Sequence, residues 1–196
     1  MVCSRSTQQA ILPISRYMLL TIDIGNTNIT LGIFQGEILR ARWSISTEVN
    51  KQIDEYVVLL NGLLQNHGLK PKSIDETIIC SVVPPLTSVF QDFTNMYLGH
   101  TPLIVGAGVK TGIRIECDNP KEVGADRVAD AVAAFQKYGG PVIVVDFGTA
   151  TVFDAISRDG SYLGGAIAPG VDVAVEALFN RASKLPRIEL IPPCRA

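Results

Sequence analysis

The chain is poor in the residue patterns that mark a zinc protein, a histidine-driven hydrolase or a membrane protein. Its four cysteines (Cys3, Cys80, Cys117 and Cys194) stand singly with no C-x-x-C spacing, and it has only two histidines, His67 and His100. That number and spacing argue against a zinc site, and two histidines, each beside a glycine, assemble no nucleophilic triad. Single thiols of this kind read as free cysteines in a reducing compartment, hence a cytoplasmic protein. No run approaches the roughly 20 apolar residues of a membrane span. A net charge of −2, from 17 Lys+Arg against 19 Asp+Glu, lacks the basic footprint of nucleic-acid or anionic-lipid binding. A GxxxxGK[ST] phosphate loop is absent as well, so any nucleotide is bound by a different fold. Disorder is excluded by a hydrophobic content of 47%, and 196 residues suffice for one ordinary domain or two small ones.

What the chain does have is one short pattern twice. Asp23-Ile24-Gly25-Asn26-Thr27-Asn28 and Asp146-Phe147-Gly148-Thr149-Ala150-Thr151 each follow an apolar run and lead into a second β-prone run, Ile29-Thr30 onward in the first case. An acid at a strand end, a Gly that lets the backbone approach, and hydroxyl and amide donors suit metal-bound phosphate. One copy would read as a plain β-turn, since Asn, Asp and Gly favour turns for local reasons. Two copies point to two phosphate-binding hairpins facing one nucleotide.

Periodicity predicts strands over 18–24, 29–35 and 38–45, a helix over 51–67 ended near Gly68, and a strand over 77–83 halted by Pro84-Pro85. A helix over 86–97, a short strand over 103–105 and a helix over 122–138 follow, the last with Val128, Ala131, Val132 and Phe135 on one face. Strand 141–146, a hairpin around Arg158-Asp159-Gly160 and a helix over 171–183 complete the reading. The order β-β-β-α restarts at residue 141, an internal duplication of meander plus helix. This gives an α/β class with residues 1–17 as a disordered tail, 18–140 as one domain and 141–196 as the incomplete start of a second.

Two further stretches stand out. Gly124-Ala125-Asp126-Arg127 lies in a helix's first turn, where an acid is favoured by the helix dipole; terminal stabilisation and catalysis are both open readings there. Gly164-Gly165-Ala166-Ile167-Ala168-Pro169-Gly170 reads either as a strand-to-helix corner or as a platform for a flat nucleotide ring.

Together these motifs resemble the type III pantothenate kinases of the acetate/sugar kinase–Hsp70–actin superfamily. The match is carried by Asp23 to Asn28, Asn119-Pro120-Lys121-Glu122-Val123-Gly124-Ala125-Asp126-Arg127, Asp146 to Thr151, and Gly164 to Gly170. The resemblance implies duplicated ribonuclease H-like (actin-like ATPase) domains and MgATP-dependent phosphorylation of pantothenate, the first step of coenzyme A biosynthesis. It implies ATP contacts from Asp23, Ile24, Gly25, Asn26, Thr27, Asn28, Ile29, Thr30 and Thr149, and pantothenate contacts from Gly124, Ala125, Asp126 and Arg127. Asp126 becomes the proton acceptor, Asp146 the ligand of K⁺ or NH₄⁺, and Asp23 a candidate for Mg²⁺; the assembly becomes a homodimer. The family commonly has Tyr where this chain has Cys117, and it continues through a Gly-Lys-x-Thr segment beyond the point where this sequence stops. Another kinase or phosphatase of the superfamily, or a ligand-binding regulator without turnover, stands as the alternative.

Overall fold

The computed structural model describes residues 17–106, 109–182 and 190–191. The expected tail, residues 1–17, lies outside them apart from Tyr17, as does the expected helix end at Ser183.

Three strands, β1 (Met18–Ile24), β2 (Asn28–Gln35) and β3 (Ile38–Ser46), form an antiparallel meander. Helix α1 (Ile53–Asn66) follows, its start tied by the Gln52 N–H donating to the Glu55 carboxylate at 2.8 Å. Strand β4 (Glu76–Ser81) then runs parallel to β1, α2 (Pro84–Phe93) covers the same face as α1, and β5 (Leu103–Ile104) runs parallel to β4. The sheet order is β3-β2-β1-β4-β5. In β1 the even residues Met18, Leu20, Ile22 and Ile24 are buried, and they meet Ile29, Leu31 and Ile33 of β2 beneath Tyr56, Leu60 and Leu64 of α1 and Leu86 and Phe90 of α2. At about 1.5–3 kcal/mol for each large apolar side chain fully buried, this core carries most of the stability.

The second half repeats the meander. Strand β6 (Arg114–Ile115), helix α3 (Ala125–Tyr138), strands β7 (Val142–Phe147), β8 (Ala150–Ile156) and β9 (Ser161–Pro169), and helix α4 (Val171–Arg181) give the order β6-β9-β8-β7. The β9-β8-β7 set mirrors β3-β2-β1. Its core is small: Ala131, Ile156 and Tyr162 are buried, flanked by Ile113, Ile115, Cys117, Val123 and Phe135.

Several boundaries differ from the sequence expectation. Helix α2 starts at Pro84 rather than Leu86, because proline costs nothing in a helix's first turn, and it gives way to a π-turn over Thr94–Leu98. Helix α3 starts at Ala125 rather than Glu122: Pro120–Glu122 form a separate 3-10 turn, and Val123 and Gly124 are extended before the helix begins. Strand β6 was not foreseen, being two residues long and paired in parallel only with Ser161 and Tyr162 of β9. Through β6 and α3, the second sheet and core draw on residues before 140.

Candidate active site

Strand register brings the site together. Asp23 stands opposite Thr30 of β2 and Cys80 of β4, so these three share the sheet face that points away from the main core. In the second sheet Asp146 stands opposite Val152. Helix α3 packs against β4 on one side and β7 and β8 on the other, and presents Asp126 and Asp130, four residues apart, between them. The result is a cavity of about 570 Å³ lined by both hairpin loops and by Asp23, Asp126, Asp130 and Asp146.

The two loops have matching hydrogen bonds. The Gly25 N–H donates to the Asn28 carbonyl (3.0 Å), and the Gly148 N–H to the Ala150 carbonyl (2.9 Å). Thr47 holds the first loop from behind: its N–H donates to the Thr27 carbonyl (2.9 Å) and its hydroxyl to the Gly25 carbonyl (2.7 Å). The loops touch directly, with Thr27 Oγ1 and Thr149 Oγ1 2.7 Å apart.

Among the sequence-predicted residues, Asp23, Gly25, Asn26, Thr27, Asn28, Thr30, Asp126, Asp146 and Thr149 line this cavity. Ile24 and Ile29 do not: both are fully buried on the opposite, core side of the hairpin, and only their backbone adjoins the loop. Gly124 is the N-cap of α3, and a Cβ there would overlap the Asp126 carboxylate, which folds back to accept the Arg127 N–H at 2.8 Å. Ala125 faces a smaller apolar cavity, and Arg127 faces a third. Gly164 and Gly165 line that third cavity, with Arg127, Cys117 and Tyr162, rather than the one between the hairpins.

Sequence reasoning missed Asp130, Asp154 and Tyr162. The first was legible as a carboxylate one helical turn from Asp126. The second was legible as a lone acid inside the apolar strand Thr151-Val152-Phe153-Asp154-Ala155-Ile156, where a charge demands a partner. Asp154 is 2% exposed, and that partner is Arg127.

Electrostatically the cavity between the hairpins is negative, since among the described residues it is lined by four Asp and by no Lys or Arg. Withdrawal from water, and then the charges of Asp126 and Asp146, raise the Asp23 carboxyl above its usual range. Partial desolvation in the cleft, and then the charges of Asp146, Asp126 and Asp23, push Asp130 up to about 6, although its side chain is still open to water. Burial and the charges of Asp23 and Asp126 lift the Cys80 thiol to about 12, so it stays protonated and unreactive. Such a set fits a hard cation carried on phosphates. Among the described residues no three side chains of His, Cys, Asp or Glu are grouped to hold a metal by themselves.

Because the folded-state pKa of Asp130 lies above its unfolded value, the native chain holds more protons than the unfolded one between about pH 4 and 6. Stability therefore falls as pH rises through that window. Asp130→Asn should flatten that slope and raise the urea midpoint above pH 6 relative to the parent. Solvent access limits the gain to less than about 1 kcal/mol. Urea titrations at pH 4.5 and 7 check it.

Two matched meanders, each with an Asp-x-Gly hairpin between its first two strands and both hairpins at one cleft, define a protein of the actin-like ATPase fold. Solved structures agree at the level of fold. A Ppx/GppA phosphatase from Aquifex aeolicus aligns with TM-score 0.50 and 16% identity, covering 88% of this chain and 58% of that one. Component A of the (R)-2-hydroxyglutaryl-CoA dehydratase from Acidaminococcus fermentans aligns with TM-score 0.50 and 13% identity, covering 84% and 53%. The chain thus spans less than two thirds of these structures. The sequence is more specific: the family profile of type III pantothenate kinase matches residues 19–196. The type III pantothenate kinase of Moorella thermoacetica is 55% identical over 178 residues, 91% of this chain and 70% of that protein. That of Geobacter sulfurreducens is 54% identical over 176 residues, 90% and 69%. This chain belongs to the type III pantothenate kinase family.

Proposed function

We propose that the protein transfers the γ-phosphoryl group of MgATP to the primary hydroxyl of pantothenate, giving 4′-phosphopantothenate and ADP in coenzyme A biosynthesis. The observation that carries the reading is the meeting of the two hairpins at Thr27 and Thr149, with Asp126 in the wall of the same cavity. Phosphoryl transfer asks chiefly for positioning, charge neutralisation and one acceptor for the hydroxyl proton. In this reading the loop residues 23–30 and Thr149 hold the triphosphate. The pantothenate oxygen attacks the γ-phosphorus, the bond to the β-bridging oxygen breaks, and the hydroxyl proton passes to Asp126. The N–H of Arg127 fixes one Asp126 oxygen and leaves the other for the substrate. Asp23 would hold Mg²⁺ carried on the nucleotide and Asp146 a K⁺ or NH₄⁺ ion, supplying positive charge against the transferred group.

The first turn of α3 divides two cavities, with Asp126 facing the hairpins and Arg127 facing a space of about 510 Å³ bounded by Cys117, Asn119, Tyr162 and Gly164. Pantothenate would lie across this turn, its hydroxyl at Asp126 and its carboxylate end toward Arg127. Cys117, at the family's usual Tyr position, would reshape this pocket without touching the phosphoryl-transfer machinery. We further assign the working form as a cytoplasmic homodimer. Ile143, Val145, Phe147 and Phe153 leave one face of the second sheet apolar and open for a second copy, and no described helix is long and apolar enough to cross a membrane. A coupled ADP-release assay with pantothenate, sugars and acetate as acceptors tests the reading, the expected result being release that depends on pantothenate alone. Release with another acceptor, or nucleotide binding without pantothenate-dependent release, would overturn it.

A further inference from the structure

We propose that Asp154 is a positioning residue that, with Tyr162, holds the Arg127 guanidinium at the floor of its cavity so that its remaining N–H edge meets the anionic end of the substrate. This rests on the reading of Arg127 as the substrate's carboxylate contact. Arg127 donates from Nε to Asp154 Oδ1 (3.0 Å) and from Nη2 to the same oxygen (2.5 Å), while the Tyr162 hydroxyl donates to Oδ1 at 2.6 Å. The guanidinium also lies over the Tyr162 ring, 5.7 Å from its centroid. Asp154 and Tyr162 are 2% and 1% exposed, so neither reaches bulk water. Nη1 takes no part in these bonds, and Arg127 is among the residues lining the cavity.

Two features make the aim consequential. Glu116, Asp118 and Glu122 stand around the same cavity, all of them exposed. A guanidinium free to swing would pair with these acids and close the space to an anion. Asp154 wins that competition because it is already dry, already hydrogen-bonded by Tyr162, and offers two points of attachment to a planar group. The second feature is Gly165. A Cβ at that position would lie 2.5 Å from Asp154 Oδ1 and 2.6 Å from Arg127 Nη2, and would also strike the Phe153 carbonyl. The glycine leaves the room the ion pair occupies.

The test compares Asp154→Asn, Asp154→Glu and Tyr162→Phe with the parent chain, using calorimetric binding of pantothenate and of ATP, and the solvent exchange of the Arg127 Nε–H by ¹⁵N NMR. Asp154→Asn is expected to weaken pantothenate at least tenfold with ATP changed less than twofold, and to lose the protected Nε–H signal. Asp154→Glu should recover part of both losses. Tyr162→Phe keeps the carboxylate and serves if the Asn variant does not fold; about threefold weaker pantothenate binding is expected. Pantothenate binding by Asp154→Asn within twofold of the parent would overturn the proposal. Should the parent itself bind no pantothenate, the functional reading falls and the NMR signal alone decides. A protected Nε–H lost in Asp154→Asn or weakened in Tyr162→Phe keeps the positioning role, and an unchanged signal removes it.

Discussion

Asp126→Asn is expected to lower pantothenate-dependent ADP release by about 10²–10⁴-fold, the usual contribution of a positioned general base, while ATP affinity stays near that of the parent. Asn is isosteric and still accepts the Arg127 N–H that fixes the side chain at 2.8 Å, so the first turn of α3 keeps its geometry. What is lost is the ability to take the hydroxyl proton. The stability terms oppose one another. Removing an acid from the first turn of a helix costs about 0.3–1 kcal/mol of dipole interaction. It also relieves repulsion, because the Asp126 charge is among those raising both Asp23 and Asp130. The variant should therefore melt close to the parent, and Asp130 should titrate at lower pH in it. Single-turnover kinetics with a parallel nucleotide-binding measurement check the expectation. Near-normal turnover would remove Asp126 from the proton-acceptor role, and an equal loss of ATP affinity would move it to nucleotide binding.

The parts of this site legible in the sequence are those written in local patterns. The hairpins announced themselves through an acid, a glycine and hydroxyls after apolar runs. The facing of Asp23, opposite to buried Leu20, Ile22 and Ile24, and of Asp130, off the stripe of Val128, Ala131 and Phe135, was also within reach of periodicity but went unread. The rest depends on register between distant segments. No local pattern says that Cys80 stands beside Asp23, since that follows from a parallel pairing between residues 57 positions apart. Nor could a two-residue strand such as Arg114–Ile115 be read, as its pairing among the described residues is with β9, more than 45 positions along the chain. The glycine-rich stretch shows the same limit. Composition left a nucleotide platform and a packing corner both open, and the register of Gly165 with Asp154 decided that glycine for packing, by bringing the buried ion pair over it.

Arg127→Ala is expected to destabilise the fold by about 3–5 kcal/mol at pH 7, the cost of leaving one member of a buried ion pair uncompensated. The Asp154 side chain is 3% exposed and that of Arg127 18%, so the carboxylate is largely dry and depends on the guanidinium for its charge partner. Tyr162 alone would remain to hydrogen-bond the carboxylate. A carboxylate left in a dry site without its cation is the costly state, and one hydroxyl donor does not replace a guanidinium. A second change, Asp154→Asn, removes the charge while leaving an acceptor for the Tyr162 hydroxyl. Arg127→Ala/Asp154→Asn should consequently be more stable than Arg127→Ala alone, a coupling in the range found for residues in direct contact. Urea unfolding of the four proteins of this cycle at pH 7 measures the loss and the coupling. Additive losses would mean that Asp154 is satisfied without Arg127, and that the glycine at 165 makes room for a contact of little energetic consequence.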